Sequence, residues 1–418
     1  MGDLLTIPTS MATGAYTQES SVELKSLNRI TNTQTAVTVS PNPDLGEYQT
    51  IQSAINALSD EGGVVLVKKG TYTLSSAISI PDKNITIEGE NADEVIIDGN
   101  NGSYHAFSVS SFSKKLVIKN LTVKNVSQSS SYSTVYLYNS TKQGTAWISG
   151  CNLSDCEYGI YVHRFSKVVI VDCDISDCGG TGIYSTTSTT DLLKILSCDI
   201  SDCDDYGLYL RSLGTMEISD NTIGEMEYCV KLTIDDLTFT NNVLTMAPDY
   251  TSAARIGFDL VGSSSLSKAL VQGNTIKLTD TISVGKYTYS VYVNGGSGLK
   301  LTFVDNTVLF TLKINSSSGF CWNIYLKDIS NCNISRNNMI VDNIGTSTNK
   351  CHGIKLDNAN YCVVSSNRSE FPGLAGNCCV SYTGSDYNSI QGNMVKNGIG
   401  ATGGSGCGAC TIVDNVSV

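Results

Sequence analysis

A short motif that recurs along most of the chain constrains its fold more than any other feature of the sequence. Three copies carry two cysteines five positions apart, in Ile148–Cys156, Ile170–Cys178 and Ile195–Cys203. Further along, an asparagine replaces the first cysteine, with an apolar residue three positions before it. These asparagines are Asn221, Asn242, Asn274, Asn306, Asn337, Asn367, Asn393 and Asn415, and Asn120 fits the pattern upstream. Their spacing, from 21 residues (221 to 242) to 32 residues (242 to 274), indicates a solenoid.

A second series of positions keeps step with the first. Most of its members stand between apolar residues, as Tyr136 does between Val135 and Leu137. The members are Ser108, Tyr136, Tyr161, Tyr184, Tyr209, Lys231, Asp259, Tyr292, Tyr325, Lys355 and Ser381. Because successive side chains of a strand point to opposite faces, these residues should lie on the outside of one strand per repeat. Two series in step predict an all-β fold, a right-handed parallel β-helix of about a dozen coils.

The physics of stacking supports this fold. A single coil cannot bury its apolar side, so neighbouring coils must share one continuous core. We expect asparagine to recur at one turn because it tolerates a left-handed backbone, and its amide can bond to the asparagine of the next coil.

The first part of the chain predicts a cap and a domain boundary. Ile51, Ala54, Ile55 and Leu58 recur at helical spacing, which predicts a short amphipathic helix covering the first coil. Residues 1–36 carry no repeat motif, so we expect a flexible or attachment segment there and the β-helix over residues 37–418.

Several segments near the start resemble the pectin lyase-like superfamily. They are Val37–Pro41, Tyr48–Ile55, Gly63–Val67, Gly70–Tyr72 and Ile85–Gly89. The superfamily includes pectate lyases, pectinesterases, polygalacturonases, alginate epimerases and phage tailspikes, so the resemblance implies the fold and leaves the chemistry open. In the phage tail proteins of this group, a short N-terminal piece attaches the β-helix to the particle and trimers are common. The resemblance therefore implies virion partners for residues 1–36 and favours a trimer. The coil at Ile412–Asn415 has no capping element after it, so we expect another copy or another protein to cover it.

Charge and hydropathy exclude several partners. The formal net charge is −12, and a chain with so few clustered Lys and Arg is unsuited to nucleic acid or to an anionic membrane surface. No stretch reaches the roughly 18 apolar residues of a membrane span. The first residues, Met1–Thr6, show no signal peptide. We expect a location at a virion or extracellular surface that is reached by another route.

The fifteen cysteines are predicted to be mainly core thiols. Cys151, Cys173 and Cys198 occupy the asparagine position, and a second stack of Cys156, Cys178 and Cys203 is continued by Met226. A position shared by Cys and Met is typical of an apolar core, although cross-coil disulfides remain open. Cys407-Gly-Ala-Cys410, with Cys378-Cys379 upstream, is the one arrangement that resembles a metal site, and we predict no metal and no cofactor.

The outward column supplies the candidate ligand-binding residues. They are Tyr136, Tyr161, Tyr184, Tyr209, Lys231, Tyr292, Tyr325 and Lys355. Aromatic rings suit the apolar faces of sugars, and the cations suit acidic sugars. The alternative is a tyrosine ladder that only stabilises the sheet through cross-strand contacts.

Catalytic signals are weak. Asp204-Asp205 and Asp235-Asp236 are adjacent carboxylates of the kind that hydrolases use in pairs, and His163 and Arg211 lie on the outward column. The catalytic candidates are His163, Arg211, Asp204 and Asp205, each of which is also explained as an ordinary surface residue. The motifs that resembling polygalacturonases, alginate epimerases and pectate lyases use are absent.

The sequence therefore favours a non-catalytic surface or virion protein, such as a tail spike, that presents a tyrosine-lined face to a glycan. Two alternatives stay open. One is a polysaccharide lyase or glycoside hydrolase acting on an acidic polysaccharide, and the other is an adhesin-like structural β-helix.

Overall fold

A computed structural model describes residues 35–129, 131–185, 190–211, 214–246, 254–263, 267–282, 287–295, 298–314, 320–343, 351–371, 378–396, 400–405 and 411–417. The predicted attachment segment, apart from residues 35 and 36, and the Cys407–Cys410 motif lie outside these ranges.

Within the described residues there are one helix, α1 (Ile51–Ala57), and 38 strands. Numbered β1 to β38 in chain order, the strands are Ala36–Val39, Gly62–Val67, Gly70–Thr73, Ile78–Ile80, Asn84–Gly89, Val95–Gly102, Phe107–Ser110, Lys115–Lys119, Thr122–Val126, Ser133–Ser149, Asn152–Val171, Asp174–Ser185, Leu192–Leu196, Asp199–Ser201, Tyr206–Arg211, Thr215–Ser219, Thr222–Met226, Tyr228–Ile234, Asp236–Thr240, Val243–Met246, Ala254–Gly262, Lys268–Gln272, Thr275–Ile282, Tyr287–Asn294, Lys300–Val304, Thr307–Ile314, Phe320–Lys327, Asn333–Ser335, Asn338–Asn343, Cys351–Asp357, Val363–Ser365, Arg368–Glu370, Cys378–Thr383, Ser389–Gln391, Met394–Lys396, Gly400–Ser405, Thr411–Val413 and Val416–Ser417.

The strands form three parallel sheets that wind around one core, which confirms the predicted parallel β-helix. Each coil contributes one strand to each sheet, and each strand pairs in parallel with its counterpart one coil away, as β15 does with β18 and β18 with β21. The first sheet runs through β4, β7, β10 to β12, β15, β18, β21, β24, β27, β30, β33 and β36. The long strands β10 and β11 turn corners and so belong to more than one sheet.

Helix α1 is the predicted cap. Thr50 begins it by accepting a hydrogen bond from the Ser53 amide, and Ile51, Ala54 and Ile55 are buried on its inner face. The helix thus covers apolar side chains of the first coil that would otherwise face water. Within the described ranges no helix has both the length and the apolarity needed to cross a membrane.

The asparagine ladder is confirmed from Asn221 to Asn415. In each step the side-chain Nδ2 donates to Oδ1 of the next asparagine at 2.8 to 3.1 Å. The same Nδ2 also donates to a backbone carbonyl of the preceding coil, as Asn306 does to Val271 at 3.0 Å. Each buried amide is therefore bonded on both sides, which removes the cost of burying a polar group.

Two details of the predicted ladder are wrong. Asn120 pairs in register with Gly150, so Leu121 and not Asn120 occupies the ladder position in its coil. The left-handed backbone belongs to the residue before each ladder asparagine, such as Asp220 at φ 59° and Asp305 at φ 58°. Asparagine recurs here because of the hydrogen bonds of its side chain and not because of its backbone.

The two cysteine stacks lie in the core, as predicted. Cys151, Cys173 and Cys198 are at most 2% exposed, and the sulfur atoms of Cys156 and Cys178 lie 3.8 Å apart as free thiols. Elsewhere a cross-coil disulfide joins Cys332 and Cys362, whose Cα atoms are 4.6 Å apart. No group of three or more metal-ligating side chains occurs among the described residues.

Candidate functional site: an aromatic face

The predicted outward column is present in the first sheet, which we call the aromatic face. Register joins Tyr136 to Tyr161, Tyr161 to Tyr184 and Tyr184 to Tyr209. The same column then continues through Lys231, Asp259, Tyr292, Tyr325, Lys355 and Ser381. All its tyrosines are half-buried and point away from the core, so the structure places these predicted site residues on one surface.

A second column of aromatic residues runs beside the first, and sequence reasoning missed it. Its members are Tyr158, Tyr206, Tyr228, Tyr289 and Trp322, each three residues before a member of the first column. Simple alternation would place residues three apart on opposite faces. Here two consecutive residues point inward instead, the first of them a small one such as Gly159 or Gly207. The recurring spacing of an aromatic residue three positions before Tyr was the available signal.

Glycine fills the first inward position in some coils, and Cys229, Ser290 and Asn323 fill it in others. Where it is glycine, the core leaves no room for a side chain: a Cβ on Gly207 would lie 2.5 Å from a methyl group of Ile223 and 2.8 Å from the sulfur of Met226. In that coil Tyr206 and Tyr209 both point outward on either side of the two inward residues.

The rings of the aromatic face stack on one another along the helix axis. Tyr158 and Tyr184 lie 4.5 Å apart at 5°, and Tyr206 and Tyr228 lie 5.1 Å apart at 25°. His105 covers Tyr136 at one end, with centroids 3.8 Å apart. Because neighbouring rings cover each other's flat surfaces, the face presents mainly ring edges and phenol hydroxyls to solvent.

Burial raises the pKa of several phenols of the face and keeps these groups protonated at neutral pH. Burial raises the pKa of Tyr136, Tyr184 and Tyr292, and it raises the pKa of Tyr206 to about 12. A protonated phenol both donates and accepts a hydrogen bond. The face is therefore a neutral surface with a repeated hydroxyl.

Carboxylates line one long edge of this face. Glu157 and Asp205 precede Tyr158 and Tyr206. Gly180 lies between them in the stack, so the three residues occupy three successive coils. The Glu157 carboxylate extends over Gly180, where an added Cβ would meet its Oε1 at 2.9 Å. Burial and repulsion from Asp205 and Asp204 raise the pKa of Glu157, and burial and Asp204 raise that of Asp205.

The other catalytic candidates lie on the opposite edge. Arg211 is the last residue of β15 and Asp205 lies just before that strand begins, so the two are six residues apart, roughly 20 Å at 3.3 Å per residue. His163 is 9% exposed and stacks on Tyr138 at 4.7 Å, and burial followed by Arg164 lowers its pKa. The structure therefore does not bring His163 and Arg211 together with Asp204 and Asp205.

Charged residues interrupt the tyrosine column near its middle. The Nζ atom of Lys231 lies 5.5 Å from the ring centre of Tyr209, and the guanidinium of Arg211 lies 5.4 Å from that same centre. Asp259 follows Lys231 in register. Beyond Asp259 the tyrosines resume, and Tyr325 donates its hydroxyl proton to Asp357.

Comparisons with known proteins were made with a family model, with curated proteins and with solved structures. Residues 76–276 match the family model described as right handed beta helix region. No curated protein matches the chain. Among solved structures, a mannuronan C-5 epimerase A-module from Azotobacter vinelandii is 14% identical with a TM-score of 0.45, covering 88% of this chain and 95% of its own. A GH87 α-1,3-glucanase from Streptomyces thermodiastaticus is 15% identical with a TM-score of 0.46, covering 88% of this chain and 65% of its own. A carrot pectin methylesterase is 13% identical with a TM-score of 0.33, covering 74% of this chain and 82% of its own.

Proposed function

We propose that this chain, a right-handed parallel β-helix of the pectin lyase-like superfamily, binds a polysaccharide along its aromatic face. The observation that supports the proposal is the pair of parallel aromatic columns, which repeat neutral phenol hydroxyls from coil to coil. A long open face with a regular repeat suits an extended polymer better than a small molecule, which binds in concave pockets.

The chemistry of the face matches sugar hydroxyl groups. Each phenol can accept one hydrogen bond and donate another, and the exposed ring edges supply apolar contact beside it. The flat surfaces of the rings are covered by neighbouring rings, so recognition rests on hydroxyls and edges and not on sugars stacked flat on the rings.

The competing explanation is a ladder that stabilises the sheet alone. Stacked rings on adjacent strands contribute to stability whether or not a ligand binds. Removal of the phenol hydroxyl groups distinguishes the two explanations, because ring stacking needs only the ring and glycan binding needs the hydroxyl oxygen.

The test is the triple variant Tyr161→Phe, Tyr184→Phe and Tyr209→Phe. Glycan arrays and affinity electrophoresis against a broad polysaccharide panel measure binding, and thermal unfolding measures stability. At roughly 1 kcal/mol for each hydrogen bond lost, we expect at least a tenfold weaker affinity with an unchanged melting temperature.

The matched control is the double variant Tyr361→Phe and Tyr387→Phe. These two rings also stack, at 4.9 Å and 4°, but they lie at exposed turns outside the aromatic face. The proposal fails if the wild-type chain binds no polysaccharide, or if the triple variant binds as well as the control.

A second candidate function is hydrolysis of the bound glycan, supported by the raised pKa values of Glu157 and Asp205 beside the face. A hydrolase needs one protonated carboxyl group to assist the leaving oxygen and a second carboxylate opposite it. Release of reducing ends at mildly acidic pH, abolished in Glu157→Gln and in Asp205→Asn, supports this function. Unchanged chain length of every polysaccharide that binds excludes it.

Attachment to a virion through residues 1–36 and assembly as a trimer are also part of the proposal, and they rest on the resemblance to phage tail proteins. Sedimentation of the full chain and of a variant lacking residues 1–36 tests both. A monomer in each case, with no binding to particles, removes the spike and leaves an adhesin-like glycan-binding β-helix.

A further inference from the structure

The tyrosine column changes character at one place. Four tyrosines, Tyr136 to Tyr209, occupy consecutive coils, and Tyr292 and Tyr325 resume the series farther along. Between the two runs the column holds Lys231 and then Asp259. A glycan lying along the face would cross this pair midway.

The pair presents two polar groups of opposite charge. Lys231 extends over the rings of Tyr206 and Tyr209, with Nζ 5.9 and 5.5 Å from their centres. Asp259 is half-buried, and its Oδ1 has no hydrogen-bond partner among the described residues. The buried Oδ1 is out of reach of a ligand, so the exposed Oδ2 of this poorly bonded carboxylate is the oxygen to which a ligand hydroxyl would donate, and that bond would stabilise the carboxylate.

The charges around the pair disfavour an anionic ligand. Glu157, Asp204 and Asp205 line one edge of the face, and burial together with their mutual repulsion raises the pKa values of Glu157 and Asp205. Two cations lie over the ring of Tyr209: Arg211 stands towards the other edge of the face, and Lys231 is opposed by Asp259 in the next coil. An acidic polymer would add further negative charge to a chain whose formal net charge is −12.

We propose that Lys231 and Asp259 form a subsite for a neutral sugar unit with adjacent hydroxyl groups. Lys231 donates to one hydroxyl oxygen, and Asp259 accepts from the neighbouring hydroxyl. A carboxylate ligand would satisfy Lys231 and repel Asp259, whereas an adjacent pair of hydroxyls satisfies both. This inference rests on the proposed polysaccharide binding and adds the class of sugar.

The first experiment compares neutral with acidic polymers. The neutral probes are glucan, mannan, galactomannan and arabinogalactan, and the acidic probes are polygalacturonate, alginate, hyaluronate and heparin. We expect at least one neutral probe to bind more tightly than every acidic one. Binding to acidic probes alone overturns this inference and leaves the proposed function standing, and binding to neither group overturns both.

The neutral probe that binds is then oxidised with periodate and reduced with borohydride. Periodate cleaves the bond between carbons that carry adjacent hydroxyls, and reduction converts the resulting aldehydes to alcohols. We expect binding to fall at least tenfold. Undiminished binding after complete oxidation contradicts the subsite.

The variants Asp259→Asn and Lys231→Met test the residues themselves. Each should weaken binding of the neutral probe about tenfold, the size of one charge-assisted hydrogen bond. The control pair is Lys268→Met and Asp236→Asn, which removes an exposed ion pair of 3.3 Å outside the aromatic face. Affinities of both test variants within twofold of the wild type overturn the inference.

The pH dependence of binding separates direct contact from a structural effect. The groups that face Asp259 are Lys231, Tyr206 and Tyr292, and burial raises the pKa of both tyrosines. Burial also raises the pKa of Asp259, so wild-type affinity should fall as the pH is lowered through that raised pKa. Asp259→Asn should lose this dependence while its melting temperature stays close to that of the wild type. An identical pH profile in both proteins counts against the contact.

Discussion

The coils at residues 151–203 and those at residues 221–415 fill the same core position in two different ways. In the first region the position holds a thiol, and in the second it holds an amide that bonds to the coils on both sides. The Cys173 sulfur makes two weak contacts, with the Val171 carbonyl oxygen at 3.4 Å in its own turn and with the Ile148 carbonyl oxygen at 3.7 Å in the preceding coil. The thiols therefore tie neighbouring coils together more weakly than the amides do.

The two regions differ in their surface charge as well. Beside the thiol coils, burial and neighbouring acids raise the pKa values of Glu157, Asp174 and Asp205. Among the amide coils, Arg336 holds the pKa of Asp305 below its usual range, with Nε 2.7 Å from the carboxylate. The first region therefore carries acids that repel one another, with Glu157 and Asp205 next to the aromatic face, and the second region contains ion pairs such as that of Asp305 with Arg336.

The largest effect that we expect comes from breaking the amide ladder. In Asn306→Ala, the Nδ2 and the backbone N–H of Asn274 lose their shared acceptor, and the Val271 carbonyl loses its side-chain donor. Buried groups left without partners should lower the free energy of unfolding by roughly 3 kcal/mol. Urea unfolding followed by circular dichroism measures it.

The control for that variant is Asn333→Ala, at an exposed strand position. It should change the free energy of unfolding by less than about 0.5 kcal/mol. Equal effects of the two substitutions would show that the ladder hydrogen bonds add no stability beyond packing. The thiol coils and the amide coils would then not differ in what this core position contributes to the free energy of unfolding.

A smaller effect follows from extending the ladder into the thiol coils. The Cys198 amide already donates to Asn221 Oδ1 at 2.9 Å, so the side chain of Cys198→Asn can donate to the same oxygen. Its own Oδ1 faces the Cys173 amide, as in every ladder step. We expect a change between zero and about 1 kcal/mol of added stability, again by urea unfolding.

The matched comparison is Cys173→Asn. The Nδ2 of the new asparagine would face the Cys198 sulfur, so it would lack an oxygen acceptor in the next coil. This variant should lose roughly 1–3 kcal/mol, and the double variant should recover most of that loss. Additive effects in this double-mutant cycle would contradict the directional bonding that distinguishes the two regions.

How far the sequence predicts the molecule depends on how strictly each pattern repeats. The tyrosine column could be placed in register because apolar residues flank most of its members. Asn120 was placed one residue out of register because Val117 and Ile118 are both apolar and both buried, so the inward position is ambiguous. The second aromatic column was missed because two successive inward residues break the alternation that strand arguments assume.

The candidate catalytic residues show a different limit. Asp204, Asp205 and Arg211 are neighbours in sequence, and sequence distance suggests a common site. An extended strand separates Asp205 from Arg211 across the width of the face, so the carboxylates and the cation lie on opposite edges. Glu157 and Asp205 lie two coil steps apart, and the glycine at position 180 between them leaves room for the Glu157 carboxylate. No local sequence pattern reveals this proximity.

The smallest effect concerns pH and tests the charge contrast. A carboxyl group whose pKa is raised on folding stabilises the native state below its unfolded pKa, and that stability is lost as the pH rises through the folded pKa. As the pH is lowered from 7 through the raised pKa values of the acids beside the thiol coils, the melting temperature should therefore rise, on the order of 1 °C after solvent screening. Asp305, whose pKa is lowered, contributes stability above its unfolded pKa and loses it only as the pH falls farther, below about 4.

Glu157→Gln removes one of the repelling charges, so at pH 7 it should melt slightly above the wild type and rise less on acidification. Asp305→Asn should instead melt below the wild type at pH 7, because it leaves Arg336 without its partner. Added salt should shrink both differences, since it screens exposed charges. The contrary outcome is a wild-type melting temperature that falls from pH 7 to pH 5, together with a Glu157→Gln variant that melts like the wild type. The acids beside the aromatic face would then not repel one another. The electrostatic argument for a neutral glycan would lose its basis.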